Sequence, residues 1–246
     1  MNKLKLNTIS LCFLPILIFI PLSYDFLKNL HFGGLNLLSE FIFSAFIPKL
    51  NSDILINLFH GFSETIFIAF ITWLISIIFG IFFGLISSDI FYKIFNLPTI
   101  FGKIIKLILI FIRSIHELIW GLLLIQIYGL NISVGIISIC LPYIAINSKV
   151  ISEQLNNIDP KKIEALTEIN GQKVSSFITI IWSPVLIILK TFSLYRLECC
   201  LRSTAILGLF GFGGIGTNIY LAFQALSFRE LWTYLWSLGI ILILFQ

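Results

Sequence analysis

The sequence predicts an all-α integral membrane protein with about six transmembrane helices. Hydrophobic residues make up 58% of the 246 positions and charged residues only 11%, and the mean hydropathy is +1.03. So few charged side chains cannot cover a water-soluble globule of this length. Most apolar segments are also hydrophobic all round, whereas a surface helix of a soluble protein keeps one polar face. These observations argue against a very apolar soluble enzyme.

The first apolar segment, residues 7–23, follows two lysines near the amino terminus. No small-residue cleavage site of the Ala-x-Ala type comes after it, so we expect a signal anchor that remains as the first span. The mixed segment 24–53 is expected to hold a short interfacial helix outside the membrane. We therefore divide the chain into residues 1–55, with the signal anchor and a periplasmic segment, and residues 56–246, the main transmembrane domain.

Five further apolar segments are predicted to cross a hydrocarbon core of roughly 30 Å. They cover residues 59–87, 104–128, 132–147, 174–192 and 231–245. Pro184 lies inside the fifth span of the chain, where a kink is expected because the proline ring removes one backbone hydrogen bond. Residues 203–226 are apolar but interrupted by glycines, so we expect a broken outer segment there, with a seventh span as the alternative. The chain stops at Gln246 without a polar tail, which leaves open whether the natural protein extends further.

Basic residues between the spans predict the orientation, because cytoplasmic loops carry an excess of lysine and arginine. With six spans, one side of the membrane receives Lys3, Lys5, Lys93, Lys103, Lys106, Lys149, Lys161, Lys162 and Lys173. The opposite side receives Lys28, Lys49, Lys190, Arg196, Arg202 and Arg229. The first side should therefore be cytoplasmic, and both termini and the polar stretch 156–173 should lie there.

The polar stretch 156–173 carries helix signals at both ends. Asp159 can cap the free amides of a helix whose first residue is Pro160, and Asn170 and Gly171 tolerate the left-handed closing turn. One side of this helix is apolar, through Ile163, Leu166 and Ile169. Such a helix either lies on the bilayer surface or docks into the groove of a partner, and the physics alone does not separate the two.

Charged residues inside predicted spans mark a second region of interest. Arg113 lies about 15 Å along the helix axis from Lys103, near mid-depth in the membrane, and Glu117 follows one turn later. Ionised groups at that depth are costly and rarely face lipid. Arg113 and Glu117 either pair with each other inside the bundle or line an anion path. Glu198 and Arg202, also one turn apart, are expected to pair at the outer mouth or to be ordinary rim charges.

Motifs of other protein classes do not occur in the sequence. It has no G-x-x-x-x-G-K-[ST] loop, no His-Glu-x-x-His, and no nucleophile with a base in a recognisable arrangement. The three histidines are scattered and the four cysteines lack metal-ligand spacing, so we expect no metal and no cofactor. No basic run with interleaved aromatic residues indicates nucleic acid. Gly211, Gly213 and Gly216 satisfy G-x-G-x-x-G, but no strand-turn-helix unit surrounds them, so a dinucleotide site is not expected.

Three stretches between Arg113 and Gly216 resemble, in order, motifs of phosphonate-type ABC importer permeases. Residues 113–120, Arg-Ser-Ile-His-Glu-Leu-Ile-Trp, resemble that family's Arg-Ser-Ile-Pro-Glu-Leu-Val-Trp, with histidine in place of proline. Residues 157–160, Asn-Ile-Asp-Pro, match as well, and Glu164-Ala165-Leu166, Gly171 and Pro184 resemble the Glu-Ala-Ala…Gly…Pro signature. The family's Glu-to-Gly spacing is one residue shorter and falls on Asn170. Residues 202–209 and 211–216 are similar to the family's Arg-Ser-Thr-Val-Leu-Gly-Leu…Gly-Ala-Gly-Gly-Ile-Gly.

The resemblance implies a type I ABC importer permease fold with a cytoplasmic coupling helix. It implies a permease subunit that carries phosphonate or a related phosphorus oxyanion across the bacterial inner membrane, while cytoplasmic ABC ATPase subunits hydrolyse ATP. A periplasmic substrate-binding protein, a second permease of the same or a similar kind, and membrane lipid are the other implied partners. The implied ATPase-coupling residues are Asp159, Pro160, Glu164, Ala165, Leu166, Asn170 and Gly171. The residues implied or proposed to line a path or gate are Arg113, Glu117, Glu198, Arg202, Ser203, Gly211, Gly213 and Gly214.

Two interpretations remain for the glycines, and two for the protein class. The glycines of residues 208–216 either allow close helix packing or expose amides that meet phosphonate oxygens. An ion-coupled secondary transporter would bind its substrate on broken helices, often in inverted repeats, and no repeat relates the two halves of this sequence. An intramembrane enzyme is the other alternative class.

Overall fold

The computed structural model describes residues 28, 32–95, 97–159, 161, 165 and 183–244, and within these residues the regular elements are all α-helices. The helices with defined bounds are α1 (Phe32–Ser44), α2 (Ser52–Ile86), α3 (Asp89–Phe95), α4 (Ile100–Ser114), α5 (Glu117–Tyr128), α6 (Ile132–Asn156), α7 (Ser183–Gly208), α8 (Ile215–Gln224) and α9 (Phe228–Leu244). The chain divides into two compact units, Met1–Pro48 and Lys49–Gln246.

The first unit contains α1, which lies within the segment 24–53 where a short helix was predicted. Most of the described side chains along α1 are exposed, and the exposed ones include the apolar Leu38 and Phe43. Ser39 donates a hydrogen bond to the Asn36 carbonyl within the same helix, at 2.8 Å. The predicted first span, residues 7–23, lies outside the described residues.

Helices α2 and α6 are long and apolar enough to cross a membrane, and the pair α4 and α5 passes the same test if it is counted as one span. The predicted span over residues 104–128 is not one straight helix, because α4 and α5 meet at an angle of 92° and form either a broken span or a re-entrant loop. Ile115 and His116 have extended backbone angles, with ψ of 126° and 146°. The His116 side chain accepts a hydrogen bond from the Leu118 amide at 3.3 Å, which begins a new helix there.

Helix α7 is longer than its predicted counterpart, which ended at residue 192. The chain breaks later, at residues 209–214, and α8 has only 10 residues. A helix of that length is about 15 Å long, roughly half of a hydrocarbon core, so α8 does not form the alternative seventh span. The connector 89–103 contains the short helix α3 and the start of α4.

Close packing of α2 against α6 forms the centre of the second unit. A Cβ added to Gly80 would lie 2.5 Å from the Asn147 Cβ, and one added to Gly84 would lie 2.7 Å from the Ile151 Cβ. The Asn147 side-chain amide donates to the Ser76 carbonyl at 3.1 Å. Small residues and a cross-helix amide bond are typical of helix pairs in membranes, where no water drives apolar association.

Two apolar clusters complete this scaffold. The larger one joins α2, α6, α7 and the loop after α7, and contains Ala69, Val134, Ile139, Tyr143, Cys200, Leu201, Leu207 and Phe212. The smaller one packs α3 and α7 against the end of α6, and contains Ile90, Ile94, Ile151, Leu155 and Leu189. Asn156, the last residue of α6, accepts hydrogen bonds from the Ser88 hydroxyl at 3.0 Å and the Ile90 amide at 3.4 Å. The end of α6 that leads to Asp159 is therefore fixed in place.

Candidate translocation and coupling sites

The first residue of α5, Glu117, contacts α7 through a hydrogen bond. The Ser203 hydroxyl donates to the Glu117 Oε1 at 2.8 Å, and the two residues are 86 positions apart in the chain. The Ser203 oxygen lies 2.9 Å from the Tyr143 hydroxyl on α6. Because the Ser203 proton is directed at Glu117, Tyr143 is the donor in this second bond. A chain of three polar groups thus joins α5, α6 and α7.

Glu117 does not pair with Arg113 in the structure. Its carboxylate contacts Ser203 and His116, whereas Arg113 lies in the last turn of α4 and lines a cavity against α6. The bend between α4 and α5 explains why residues four positions apart no longer lie on one helix face. The His116 Nδ1 lies 3.5 Å from the Glu117 Oε2, and it also accepts a hydrogen bond from the Leu118 amide.

Glu198 and Arg202 form an ion pair one turn apart on α7. The Glu198 side chain is only 9% exposed and that of Arg202 is 55% exposed, so the carboxylate is held inside while the guanidinium reaches outward. The structure therefore agrees with the pairing interpretation of these two residues. Ser203 follows immediately and is buried, which places the Glu117 contact next to this pair.

The glycine-rich loop after α7 turns by left-handed backbone angles that glycine adopts without strain. Gly211, Gly213 and Gly214 have φ values of 89°, 101° and 77°. The Gly214 amide donates to the Glu64 carboxylate on α2 at 2.8 Å, and the Ile215 amide donates to the Thr65 hydroxyl at 2.8 Å. These two amides at the start of α8 are thus hydrogen-bonded to side chains of α2.

Two functional candidates were missed by the sequence reasoning. Glu64 is a carboxylate within the long apolar helix α2, and a charge in such a position is itself a signal of function. Arg196 on α7 lies over aromatic rings, with its guanidinium carbon 5.3 Å from the Tyr143 ring centre and 4.9 Å from that of Phe192. Its Nε is buried and has no hydrogen-bond partner among the described residues. Arg196 was treated only as a topology signal, although Phe192 lies one turn away on the same helix; Tyr143 is brought near it only by the fold.

The predicted coupling stretch is described only in part. Asp159 accepts a hydrogen bond from the Lys161 amide at 3.0 Å, as expected for a residue that caps a helix. Ala165 is helical and exposed. The remaining predicted coupling residues lie outside the described part of the chain: Pro160, Glu164, Leu166, Asn170 and Gly171.

No family model matches the chain. It is 24% identical over 188 residues to the phosphate-import permease protein PhnE of Mycolicibacterium smegmatis, covering 76% of this chain and 34% of that protein. It is 30% identical over 83 residues to the protein named cryptic phosphonate transport system permease PhnE2 of Escherichia coli K12, covering 34% of this chain and 68% of that protein. It is 23% identical over 133 residues to the phosphite transport system permease PtxC of Stutzerimonas stutzeri, covering 54% of this chain and 48% of that protein. The matched region thus spans one third to two thirds of these relatives.

The fold is similar to that of a chain in the inward-facing MetNI methionine ABC transporter. The TM-score is 0.70 at 17% sequence identity, and the match covers 80% of this chain and 94% of that chain. The apolar helices and these relatives agree on a multi-pass membrane protein of the inner membrane. The chain belongs to the phosphonate/phosphite ABC transport permease family.

Proposed function

We propose that this chain is the membrane-spanning subunit of an ATP-driven importer for phosphonate or a related phosphorus oxyanion. The observation that carries the proposal is the contact between Glu117 and Ser203 at 2.8 Å. It brings the two stretches that resemble the family's Arg-Ser-Ile-Pro-Glu and Arg-Ser-Thr motifs to one place in the bundle. The relatives act in phosphate, phosphonate and phosphite transport, and these three substrates share a phosphorus oxyanion.

In this proposal energy enters through the coupling stretch that begins at Asp159. The helix over residues 160–169 docks on a cytoplasmic ATPase subunit, with Glu164, Ala165 and Leu166 in the contact and Asn170 or Gly171 closing the helix. Helix α6 ends at Asn156, about 20 Å along its axis from Tyr143. Movement of the coupling helix is therefore passed along α6 to the hydroxyl of Tyr143, and from there to Ser203 and Glu117.

Two basic side chains are proposed to attract the anion on its path. Arg202 reaches outward from α7, and Arg196 presents a guanidinium that has no carboxylate partner within the described chain. A guanidinium matches the geometry of phosphoryl oxygens and keeps its charge at any cellular pH. The capped glycine loop, with Gly211, Gly213 and Gly214, is proposed as a gate that opens when α2 and α8 separate.

The proposed assembly has further members and a defined orientation. Exposed apolar side chains on α4, such as Leu107 and Phe111, suit membrane lipid or a second permease copy. Six spans, with residues 1–55 forming the signal anchor and periplasmic segment and 56–246 the permease domain, would place both termini in the cytoplasm. A periplasmic binding protein delivers the anion, and the chain itself holds no nucleotide.

Whole-cell uptake tests this function. A bacterial strain lacking its own phosphonate, phosphite and phosphate importers is given this chain together with an ABC ATPase and a periplasmic binding protein from the same organism. Accumulation of labelled methylphosphonate, phosphite or phosphate is expected only when all three proteins are present. Uptake that persists without the ATPase and follows an ion gradient would contradict the proposal and favour a secondary transporter.

A further inference from the structure

A cavity of about 60 Å³ lies between α4 and α6. Its lining residues come from the end of α2, from α4 and from α6: Ser87, Lys106, Leu109, Ile110, Arg113, Ala145, Lys149, Ser152 and Glu153. One buried water needs only about 10–15 Å³ measured in this way, so the cavity holds more than a single water. It shares no residue with the contact between Glu117, Ser203 and Tyr143.

Three positive side chains converge on this cavity. Lys106 and Arg113 are seven residues apart and thus on one face of α4, and Lys149 faces them from α6. Glu153 is the one carboxylate in the lining, and it lies 3.5 Å from Lys149. The lining therefore carries an excess of two positive charges.

Lys106 and Arg113 are not neutralised by the protein in the part of the chain that the structure describes, where neither forms an ion pair. The two serine hydroxyls in the lining already donate hydrogen bonds to backbone carbonyls. Ser152 donates to the Ser87 carbonyl at 3.2 Å, and Ser87 donates to the Gly84 carbonyl at 3.2 Å. The donors that remain for a ligand are the two ammonium groups and the guanidinium.

The inner wall of the cavity is apolar and packed. Leu109 and Ala145 are buried, and Ser152 is held by its bond to α2. Charge-assisted hydrogen bonds are stronger where such a wall excludes water. A concave site with an apolar wall and a few convergent cationic donors is suited to a compact anion with several acceptor oxygens.

We propose that this cavity binds a phosphorus oxyanion, supplied either as free phosphate or phosphonate or as the phosphate group of a phospholipid. The two excess positive charges match a phosphate or phosphonate dianion and exceed the single charge of a phospholipid phosphodiester, and the Arg113 fork can bind two oxygens of either group. The cavity contains Arg113, one of the predicted path residues, but shares no residue with the contact between Glu117 and Ser203. The free-anion form rests on the proposed function, whereas the lipid form does not.

Equilibrium binding to the full-length chain, purified in detergent without ATP, tests the proposal. The probe is labelled inorganic phosphate, and native mass spectrometry of the same samples measures retained anionic phospholipid. Arg113→Gln and Lys149→Gln each remove one positively charged donor. Binding of the ligand that occupies the cavity, either free phosphate or phospholipid, should fall about tenfold or more. Glu153→Gln removes the one repelling carboxylate and should tighten binding several-fold.

Lys103→Gln is the matched control, because Lys103 is exposed on the same helix and does not line the cavity. It should leave both readouts within about twofold of the unmodified chain. If Arg113→Gln and Lys149→Gln weaken the binding of labelled phosphate and Glu153→Gln tightens it, the ligand is the free anion. If these variants change only the amount of retained phospholipid, the ligand is the lipid. The proposal is overturned if neither readout responds to Arg113→Gln, or if Lys103→Gln lowers binding as much. Because the assay measures binding and not transport, its result can be interpreted even if the importer assignment is wrong.

Discussion

Replacing Ser203 with alanine removes the hydroxyl that donates to the Glu117 carboxylate at 2.8 Å. The Ser203 residue is only 5% exposed and the Glu117 side chain 15%, so little water can replace the lost donor. A hydrogen bond to a charged group contributes about 1.5–3 kcal/mol, and the upper part of that range applies to buried pairs. We therefore expect Ser203→Ala to lower the free energy of unfolding by about 2 kcal/mol.

A double-mutant cycle separates this contact from other effects of the substitutions. Ser203→Ala, Glu117→Ala and the double variant are compared by denaturant unfolding of the detergent-purified chain, and the coupling energy should be about 1–2 kcal/mol. Ser193→Ala is the control on the same helix, since that hydroxyl donates only to the Lys190 carbonyl of its own helix at 3.0 Å. A coupling energy below about 0.3 kcal/mol would refute the reasoning.

Three further predictions concern helix packing, loop capping and coupling. Gly208→Ala would place a Cβ 2.6 Å from a backbone oxygen of the next loop, and should destabilise the chain by about 1–3 kcal/mol, whereas Gly239→Ala, with open space around it, should not. Glu64→Ala leaves the Gly214 amide uncapped and should cost about 1 kcal/mol, whereas Glu64→Gln keeps an oxygen acceptor and should recover part of it. Glu164→Arg reverses a charge in the proposed coupling helix and should abolish co-purification with the ATPase.

Thermal unfolding in detergent measures the first two predictions, and affinity pull-down of a tagged ATPase measures the third. Equal melting shifts for Gly208→Ala and Gly239→Ala would contradict the packing argument. Identical effects of Glu64→Ala and Glu64→Gln would remove the case for a capping oxygen. If the ATPase still co-purifies with the Glu164→Arg chain, Glu164 is not needed for ATPase docking.

The helical class and the main apolar helices could be predicted because they depend on composition and local pattern. The predicted span through Arg113 is bent at His116, which supplies an N-cap, and apolar composition alone does not show a bend. Helix α7 was predicted to end at residue 192, whereas it continues to Gly208 and contains Arg196 and Glu198. Their charges are accommodated by aromatic rings and by Arg202.

The pairing of Glu198 with Arg202 could be predicted from their spacing, whereas the long-range contacts of the candidate site could not. Glu117 and Ser203 were both selected from the sequence, yet the contact between them joins positions 86 apart, which no local period encodes. The glycines of the loop were recognised, whereas the carboxylate of Glu64 that caps them lies 150 positions away. Long-range partners of this kind depend on how the helices pack, and that information is not contained in any one segment.

Uptake by proteoliposomes tests the central claim most directly. The chain is reconstituted with its ATPase, the binding protein and labelled methylphosphonate, phosphite or phosphate are added outside, and ATP is trapped inside. The account predicts accumulation of at least one of these anions that requires hydrolysable ATP and is unaffected when ion gradients are collapsed. Accumulation that needs an ion gradient and continues without ATP would contradict it.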